Sequence, residues 1–166
     1  MSEILDRLRN VVKRKSEQQV IQPIVVIDKS NDFVEYVKKT DILMGRDKEY
    51  PLTEQMQNNL DKLHKALNKL GAAYGKLPPV SSGYRPGKYN MAAGGAKNSG
   101  HLICKACDFK DGDGAFDKWC SENQKILEGC GLWQEHPDNT KGWCHLDIIE
   151  RPARPKGTAA FRTFKP

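Results

Sequence analysis

The feature that most constrains the fold is a regular spacing of apolar side chains after Thr53. These side chains recur at intervals of three and four residues and are Met56, Leu60, Leu63, Leu67 and Leu70. Such intervals place them on one face of an α-helix, for which Thr53 is a favourable N-cap and Gly71 a suitable residue near the end. We therefore predict a core-facing helix between these two residues, with His64 in solvent on its flank.

Two later segments are predicted as β-strands on either side of a second helix. The strands cover residues 105–109 and 143–149. The helix is expected over about residues 114–127, with four inward-facing side chains, Phe116, Trp119, Cys120 and Leu127. Residues 1–40 contain a basic amphipathic helix within the first 20 residues and a β-branched run at 24–27. We predict that they form an N-terminal extension and that residues 41–166 form the main domain.

Length, charge and cysteine content limit the class of protein. The 166 residues suit one domain, and the net charge of +6 favours a polyanionic partner such as nucleic acid, acidic lipid or cell-wall polymer. No apolar stretch reaches the roughly 18 residues that a membrane span needs, and basic residues interrupt the N-terminus, so we expect neither a span nor a secretory signal. The five cysteines cannot all pair, which predicts a reducing compartment and buried thiols.

Three polar side chains can meet on one side of the predicted strands. Because a strand alternates its side chains between two faces, Asp108 and His145 lie on the polar faces of their strands. His101, seven residues before Asp108, can fold back through a turn to join them. Two histidines and an aspartate suit a catalytic zinc ion, which keeps a fourth position open for water. The spacing alone is also compatible with structural histidines at strand ends.

Short motifs in a fixed order point to a family. They are Ser82-Gly-Tyr-Arg85, a glycine-rich stretch at residues 94–99, the segment from Ser99 through His101 to Asp108, and Trp143-Cys-His145. Together they closely resemble the D-Ala-D-Ala metallopeptidase group of zinc peptidases, whose wider class includes the hedgehog-type domain. Among these the sequence is most similar to phage-encoded members. The resemblance covers roughly residues 41–166 and does not extend to residues 1–40.

The resemblance implies a fold and a set of roles. The fold would be a small α+β domain, in which an antiparallel sheet bears the metal on one face and helices flank the sheet. His101, Asp108 and His145 would bind Zn²⁺. Arg85 would hold a carboxylate of the substrate with its planar guanidinium group, and Ser99 would hydrogen-bond the same end of the peptide.

The sequence departs from the family pattern at two positions. Cys104 stands where a glycine is common, and we expect it to be tolerated if the local backbone does not require a positive φ. Gly142 stands three residues before the last histidine, where many relatives carry a catalytic glutamate. We predict that Glu135 serves as general base, with His136 and Asp138 as alternatives. A site that is inactive or differently arranged also stays open.

Three further motifs carry weaker signals. Cys104 and Cys107 form a Cys-x-x-Cys pair, which is typical of zinc knuckles and redox sites, but no second pair follows and Cys107 falls on a buried strand face. The acidic run at residues 111–114 lacks the ligand alternation and terminal glutamate of an EF-hand loop, so we expect a turn and a helix start. Asp147 shares a face with His145 and suits either the orientation of that ligand or a surface salt bridge.

These observations predict a zinc-dependent peptidase that hydrolyses the stem peptides of bacterial peptidoglycan, at a D,D bond or at an L-alanyl-D-glutamate bond. The resemblance to phage enzymes implies an endolysin made in the host cytoplasm, which reaches the wall through a holin-dependent route or inside a virion. The alternative is a non-catalytic domain that keeps zinc for folding and binds the cell wall or belongs to a virion. Nucleic-acid binding is not expected, because the basic N-terminus lacks interleaved aromatic residues.

Overall fold

The structure is a computed structural model and describes residues 34–152 and 161–165. The α-helices are α1 (Lys39–Leu43), α2 (Glu54–Tyr74), α3 (Gly87–Ala92), α4 (Ala115–Glu122) and α5 (Gln124–Cys130). Two short 3-10 helices cover Arg46–Lys48 and Gly100–Ile103. The strands are β1 (Val80–Ser82), β2 (Ala106–Asp111), β3 (Trp133–Glu135), β4 (Gly142–Asp147) and β5 (Thr163–Phe164). The helix predicted within residues 1–20 and the run at 24–27 lie outside the described residues.

Helix α2 is the long core-facing helix that the leucine spacing predicts. The hydroxyl of Thr53 accepts a hydrogen bond from the backbone N–H of Met56 at 3.3 Å, which confirms the N-cap. The helix continues past Gly71 and ends at Gly75, whose φ of 86° is left-handed. His64 is not solvated, because Nε2 lies 2.8 Å from a carboxylate oxygen of Glu35 and only 14% of the side chain is exposed.

The sheet has the strand order β1-β2-β4-β3-β5. All neighbouring strands pair antiparallel except β3 and β5, which pair parallel at one edge. The buried face of the sheet packs on α2, and this core includes Leu63, Leu67, Phe109 and Leu146, which are fully buried. A small, mainly antiparallel sheet with flanking helices confirms the predicted α+β class. It leaves the other face of β2 and β4 for polar side chains.

The second predicted helix is two helices, α4 and α5, which meet at Asn123. The backbone of Asn123 is not helical, with φ −116° and ψ 42°. Its side-chain amide donates to the carbonyl oxygen of Trp119 at 2.8 Å. Asparagine competes in this way with regular backbone hydrogen bonds, which explains why the continuous helix is interrupted here.

The described chain already packs against α2 before residue 40. Val37 is buried, and the side chain of Asn68 accepts from the backbone N–H of Val37 and donates to its carbonyl oxygen. The predicted boundary at residue 40 stays a prediction, because most of the segment that it separates lies outside the described residues. None of the helices in the described part is both long and apolar enough to cross a membrane.

Candidate metal centre and adjoining cleft

Adjacent strands bring two of the predicted ligands together. Asp108 on β2 lies directly opposite His145 on β4, and its Oδ1 atom is 2.7 Å from Nδ1 of His145. Directly opposed residues of an antiparallel pair have their side chains on the same face. Cys107 and Leu146, the next opposed pair, are fully buried on the other face. The strand faces therefore alternate as the sequence predicts.

His101 joins these two side chains from the 3-10 helix Gly100–Ile103. Ser99 is the N-cap, and its hydroxyl accepts a hydrogen bond from the backbone N–H of His101 at 3.3 Å. The His101 ring is fully buried, with Nε2 at 3.2 Å from Oδ1 of Asp108 and 3.3 Å from Nδ1 of His145. Its Nδ1 donates to the carbonyl oxygen of Gly83 at 2.7 Å. Nε2 therefore keeps its lone pair for a ligand.

The glycine of the Ser82-Gly-Tyr-Arg85 motif permits a close backbone approach. A Cβ atom on Gly83 would lie 1.9 Å from the carbonyl oxygen of Ile42 in α1. The backbone N–H of Tyr84 donates to that same oxygen at 2.7 Å, and the N–H of Arg85 donates to the carbonyl oxygen of His101 at 3.0 Å. The motif thus holds the backbone that carries Arg85 against both α1 and the 3-10 helix Gly100–Ile103.

The three donor atoms fit a tetrahedral zinc site. With metal–ligand bonds of about 2.0–2.2 Å, neighbouring ligand atoms of such a site lie roughly 3.3 Å apart. Two of the three separations here are 3.2 and 3.3 Å, and the third, between Asp108 and His145, is the shorter 2.7 Å hydrogen bond. Two imidazole nitrogens and one carboxylate oxygen are ligands that zinc accepts, and three of them leave a fourth position open. Among residues 34–152 and 161–165, no other group of three histidine, cysteine, aspartate or glutamate side chains could hold a metal ion, and neither cysteine of the Cys-x-x-Cys pair belongs to this group.

The three side chains also influence one another's protonation. Burial lowers the pKa of His101. Burial alone would raise the pKa of Asp108, but its close contacts with His101 and His145 outweigh that effect and hold the pKa well below the ordinary value. For His145 the effect of burial is outweighed by Asp108 and Asp147, which raise its pKa to about 9. The ionised carboxylate is the charge state that a metal ion needs, whereas His145 has to release a proton from Nδ1 when a metal binds.

Behind His145 lies a buried ion pair. Nε2 of His145 is 3.5 Å from Oδ2 of Asp147. Asp147 is 1% exposed, and its carboxylate accepts two hydrogen bonds from the guanidinium group of Arg151, at 2.6 and 2.7 Å. Asp147 is therefore in contact with a predicted ligand and is not part of a surface salt bridge.

A cleft of about 420 Å³ adjoins the three predicted ligands. Asp108 and His145 form part of its wall, and Arg85, Ser99 and Glu135 line it as well. The Nε atom of Arg85 is buried and has no hydrogen-bond partner in the described part of the chain. Burial also lowers the pKa of its guanidinium group. A buried cationic donor without a partner, next to an open cleft, is suited to bind an anionic group of a ligand.

Glu135 ends β3 beside the metal centre. Gln134 pairs with Leu146 across the antiparallel β3–β4 ladder, so the register places the next residue, Glu135, opposite His145 and on the same face. Burial raises the pKa of Glu135 above its ordinary value. A higher pKa makes the carboxylate a stronger base at neutral pH.

The two alternative bases lie outside this arrangement. Nδ1 of His136 is 3.3 Å from Oδ2 of Asp138, so the two side chains pair with each other. The Asp138 side chain is 76% exposed. Neither residue lines the cleft. The structure thus brings together His101, Asp108, His145, Arg85, Ser99 and Glu135, and leaves the other two apart.

The backbone conformation at Cys104 bears on the first departure from the family pattern. It follows the 3-10 helix with φ 57° and ψ 33°, which is the left-handed conformation that glycine favours. The condition on which we expected a cysteine to be tolerated here, a backbone without a positive φ, is therefore not met. The chain turns here so that the N–H of Lys105 can donate to the carbonyl oxygen of Gly100 at 2.8 Å. The Cys104 side chain is fully buried, and burial raises the pKa of its thiol to about 12.

Gly142 also has a left-handed backbone, with φ 91°, at the first residue of β4. It is exposed, and a Cβ atom built on it would meet no atom within 4 Å. The position where many relatives carry glutamate is thus on the surface here. Two carboxylates near it in sequence line the cleft, Asp147 and Glu135, and Asp147 is paired with Arg151.

Sequence reasoning missed two residues of this region, Arg151 and Phe164. Arg151 follows the end of β4, and Phe164 on β5 has its ring 3.5 Å from the Arg151 guanidinium carbon. Both line the cleft. No local signal was available for either residue, because a spacing of four such as that between Asp147 and Arg151 indicates an ion pair only on a helix.

Comparisons with known proteins identify a family. A family model described as Peptidase M15 matches residues 36–147, about two thirds of the chain. The match includes all three predicted metal ligands as well as Arg85, Ser99 and Glu135 of the cleft, whereas Arg151 and Phe164 lie beyond it. No curated protein and no solved structure matches the chain.

Proposed function

The chain belongs to the Peptidase M15 family of zinc-dependent metallopeptidases, and we propose that it hydrolyses peptide bonds in the stem peptides of bacterial peptidoglycan. The observation that carries this proposal is the position of Arg85. Arg85 lines the same cleft as Asp108 and His145, and its buried Nε atom has no hydrogen-bond partner in the described part of the chain. Stem peptides carry free carboxylates next to the bonds that such an enzyme would cut, and a guanidinium group binds a carboxylate through paired hydrogen bonds.

Substrate binding is assigned to two residues at one end of the cleft. Arg85 would hold a substrate carboxylate, and Ser99 would offer its hydroxyl to the same end of the peptide. Ser99 accepts a hydrogen bond from the N–H of His101, so the hydroxyl hydrogen remains available for a substrate oxygen. These contacts would orient the scissile carbonyl toward His101, Asp108 and His145.

His101 Nε2, Asp108 Oδ1 and His145 Nδ1 would hold the zinc ion. When bound, zinc supplies a Lewis acid that polarises the scissile carbonyl and lowers the pKa of the attacking water. We assign the general base to Glu135, which would accept the proton of that water and pass it to the leaving amine. Its raised pKa favours both transfers, because a group that titrates closer to neutrality accepts and releases a proton more readily.

The finer assignment follows the resemblance to phage-encoded members. We propose that the protein cleaves either a D,D bond or an L-alanyl-D-glutamate bond, and that it acts as an endolysin. It would be made in the host cytoplasm and reach the wall through a holin-dependent route or within a virion. The net charge of +6 supports an anionic substrate such as the cell wall.

One experiment tests the function and identifies the bond. Purified peptidoglycan fragments are incubated with the zinc-loaded protein, and the products are identified by mass spectrometry. We expect a defined pair of fragments, which disappears with chelator and with the His101→Ala variant. Products that persist in both controls would exclude the zinc-dependent mechanism. Binding to peptidoglycan without any product would instead favour the non-catalytic cell-wall-binding domain.

A further inference from the structure

A row of three side chains leads away from the metal centre. Nδ1 of His145 faces Asp108 at 2.7 Å, and Nε2, on the opposite edge of the ring, faces Asp147 at 3.5 Å. The Asp147 carboxylate then accepts from both terminal nitrogens of Arg151, at 2.6 and 2.7 Å. The imidazole is thus placed between one carboxylate that shares the metal site and a second that does not.

The second carboxylate can orient the ring only if its own position is fixed. Asp147 is 1% exposed, so its charge is removed from water and needs a cationic partner. Arg151 provides that partner with a bidentate geometry that fixes both oxygens. Asp147 also accepts from the backbone N–H of Ile149 at 3.0 Å. These contacts define the direction from which Asp147 meets Nε2 of His145.

Aromatic rings hold Arg151 itself in place. The ring centre of Phe164 lies 3.5 Å from its guanidinium carbon, and the indole of Trp133 lies 5.5 Å away. Cations are attracted to such ring faces. The Phe164 ring also meets the His145 ring edge-on, with centres 6.0 Å apart. Strands β3 and β5 thereby hold the cation that fixes Asp147.

We propose that Arg151 is a positioning residue for the metal site: through Asp147 it fixes the ring of His145 so that Nδ1 presents its lone pair to the metal. This inference rests on the proposed function only in that His145 is a zinc ligand. A ligand histidine depends on the group that receives the N–H of its other nitrogen, and loss of such a group typically weakens metal binding about 10- to 100-fold. Arg151 acts on Asp147, the carboxylate that faces Nε2 of His145.

Metal affinity of the purified full chain tests the proposal without any substrate. Zinc dissociation constants are measured by competition with a chromophoric chelator, and the visible spectrum of the Co²⁺-loaded protein reports the ligand geometry. We expect Arg151→Met and Asp147→Asn each to weaken zinc binding by about 10- to 100-fold and to change the cobalt spectrum. Because both act through one contact, the double variant should bind about as well as Asp147→Asn alone. Arg151→Lys keeps the positive charge but lacks the planar guanidinium group, so its zinc affinity should lie between those of the parent and Arg151→Met.

Arg162→Met is the matched control. The Arg162 guanidinium group stacks on the same indole, at 4.7 Å, but does not pair with Asp147. It should leave zinc affinity and the cobalt spectrum within about twofold of the parent, as expected for a substitution outside the network. If Arg151→Met unfolds the protein, the zinc affinities and cobalt spectra of Arg151→Lys and Arg162→Met are compared instead to decide the role of Arg151.

Two results would overturn the proposal. One is a folded Arg151→Met or Arg151→Lys protein with the zinc affinity and cobalt spectrum of the parent. The other is a rise in KM at unchanged metal affinity, which would make Arg151 a substrate contact in the cleft. A parent protein that binds zinc but releases no peptide would refute the proposed function, and the affinity comparison would still decide the role of Arg151.

Discussion

The imidazole of His101 donates a hydrogen bond from Nδ1 to the carbonyl oxygen of Gly83, 2.7 Å away. This contact fixes the ring with Nε2 toward Asp108 and His145. Gly83 is itself held by its approach to Ile42, where no Cβ atom would fit. The orientation of a buried ligand therefore depends on a glycine 18 residues earlier in the chain.

Gly83→Ala should damage both the fold and the metal site. Its Cβ atom would lie 1.9 Å from the carbonyl oxygen of Ile42, so the backbone must move. We expect the free energy of unfolding of the metal-free protein to fall by about 1–3 kcal/mol, as for overpacked cores, and zinc to bind more weakly. Denaturant unfolding and chelator competition measure the two effects. Gly87→Ala is the control, because its Cβ atom would meet nothing within 4 Å. Equal behaviour of the two variants would contradict the importance of this approach.

Glu135→Gln should separate catalysis from metal binding. The amide is nearly isosteric but cannot accept the proton of the attacking water, so turnover should fall by roughly 10²- to 10⁴-fold. Zinc affinity and stability should change little. Asp138→Asn and His136→Gln, whose side chains pair outside the cleft, should retain turnover. Rates measured at equal zinc occupancy decide, and a fully active Glu135→Gln protein would exclude Glu135 as base.

Arg85→Lys keeps the positive charge but loses the planar guanidinium group. A lysine cannot form the paired hydrogen bonds that guanidinium makes with a carboxylate, so we expect kcat/KM to fall by about 10-fold or more. Zinc content and melting temperature should match those of the parent. Lys88→Arg, at an exposed salt bridge with Glu49, is a control for charge-preserving exchange. Unchanged kinetics in Arg85→Lys would remove the residue from substrate binding.

The features of the fold and the site that could be predicted from the sequence are those that depend on residues close together in the chain. The N-cap Thr53 and the strand faces of Asp108 and His145 follow from residue type and periodicity over a few positions. Arg151 could not be placed in this way, because its partner aromatic ring belongs to a strand that pairs parallel at the far edge of the sheet. The left-handed backbone of Cys104 depends on how a short 3-10 helix ends, and residue type argues against it.

Asp117 should give the protein a measurable pH dependence. Burial raises the pKa of this carboxyl above its ordinary value. A raised folded-state pKa stabilises the protein below the unfolded value, and that stabilisation is lost as the pH rises through the folded value. Asp117→Asn keeps an acceptor for the Gln134 side chain, which donates to Oδ1 at 2.9 Å. We therefore expect the effect of Asp117→Asn on the free energy of unfolding to be more favourable near pH 7 than near pH 4.

Denaturant unfolding of the metal-free protein at the two pH values checks the Asp117 prediction. Asp61→Asn is the control, since the Asp61 side chain is 61% exposed on α2 and pairs with Lys39 at the surface. A pH trend of the same size and sign in both variants would show that burial of Asp117 is not its cause.

The left-handed backbone at Cys104 can be tested by comparing glycine with alanine. At φ 57° alanine keeps the strain that glycine relieves, so Cys104→Gly should be more stable than Cys104→Ala by about 1 kcal/mol. Cys120, equally buried within α4, is the matched position. There glycine should be less stable than alanine by about 0.5–1 kcal/mol. The same order of stability at both positions would contradict the assigned backbone conformation.

The backbone at Gly142 has a consequence for how this chain could evolve. A glutamate gained there by point mutation would have to adopt φ 91°, which side chains with a Cβ atom rarely do, and it would start from an exposed position at the end of β4. Adoption of the arrangement with that glutamate thus needs a change of backbone path as well as a change of codon. Because neither change is useful without the other, no single substitution at this position is expected to give that arrangement.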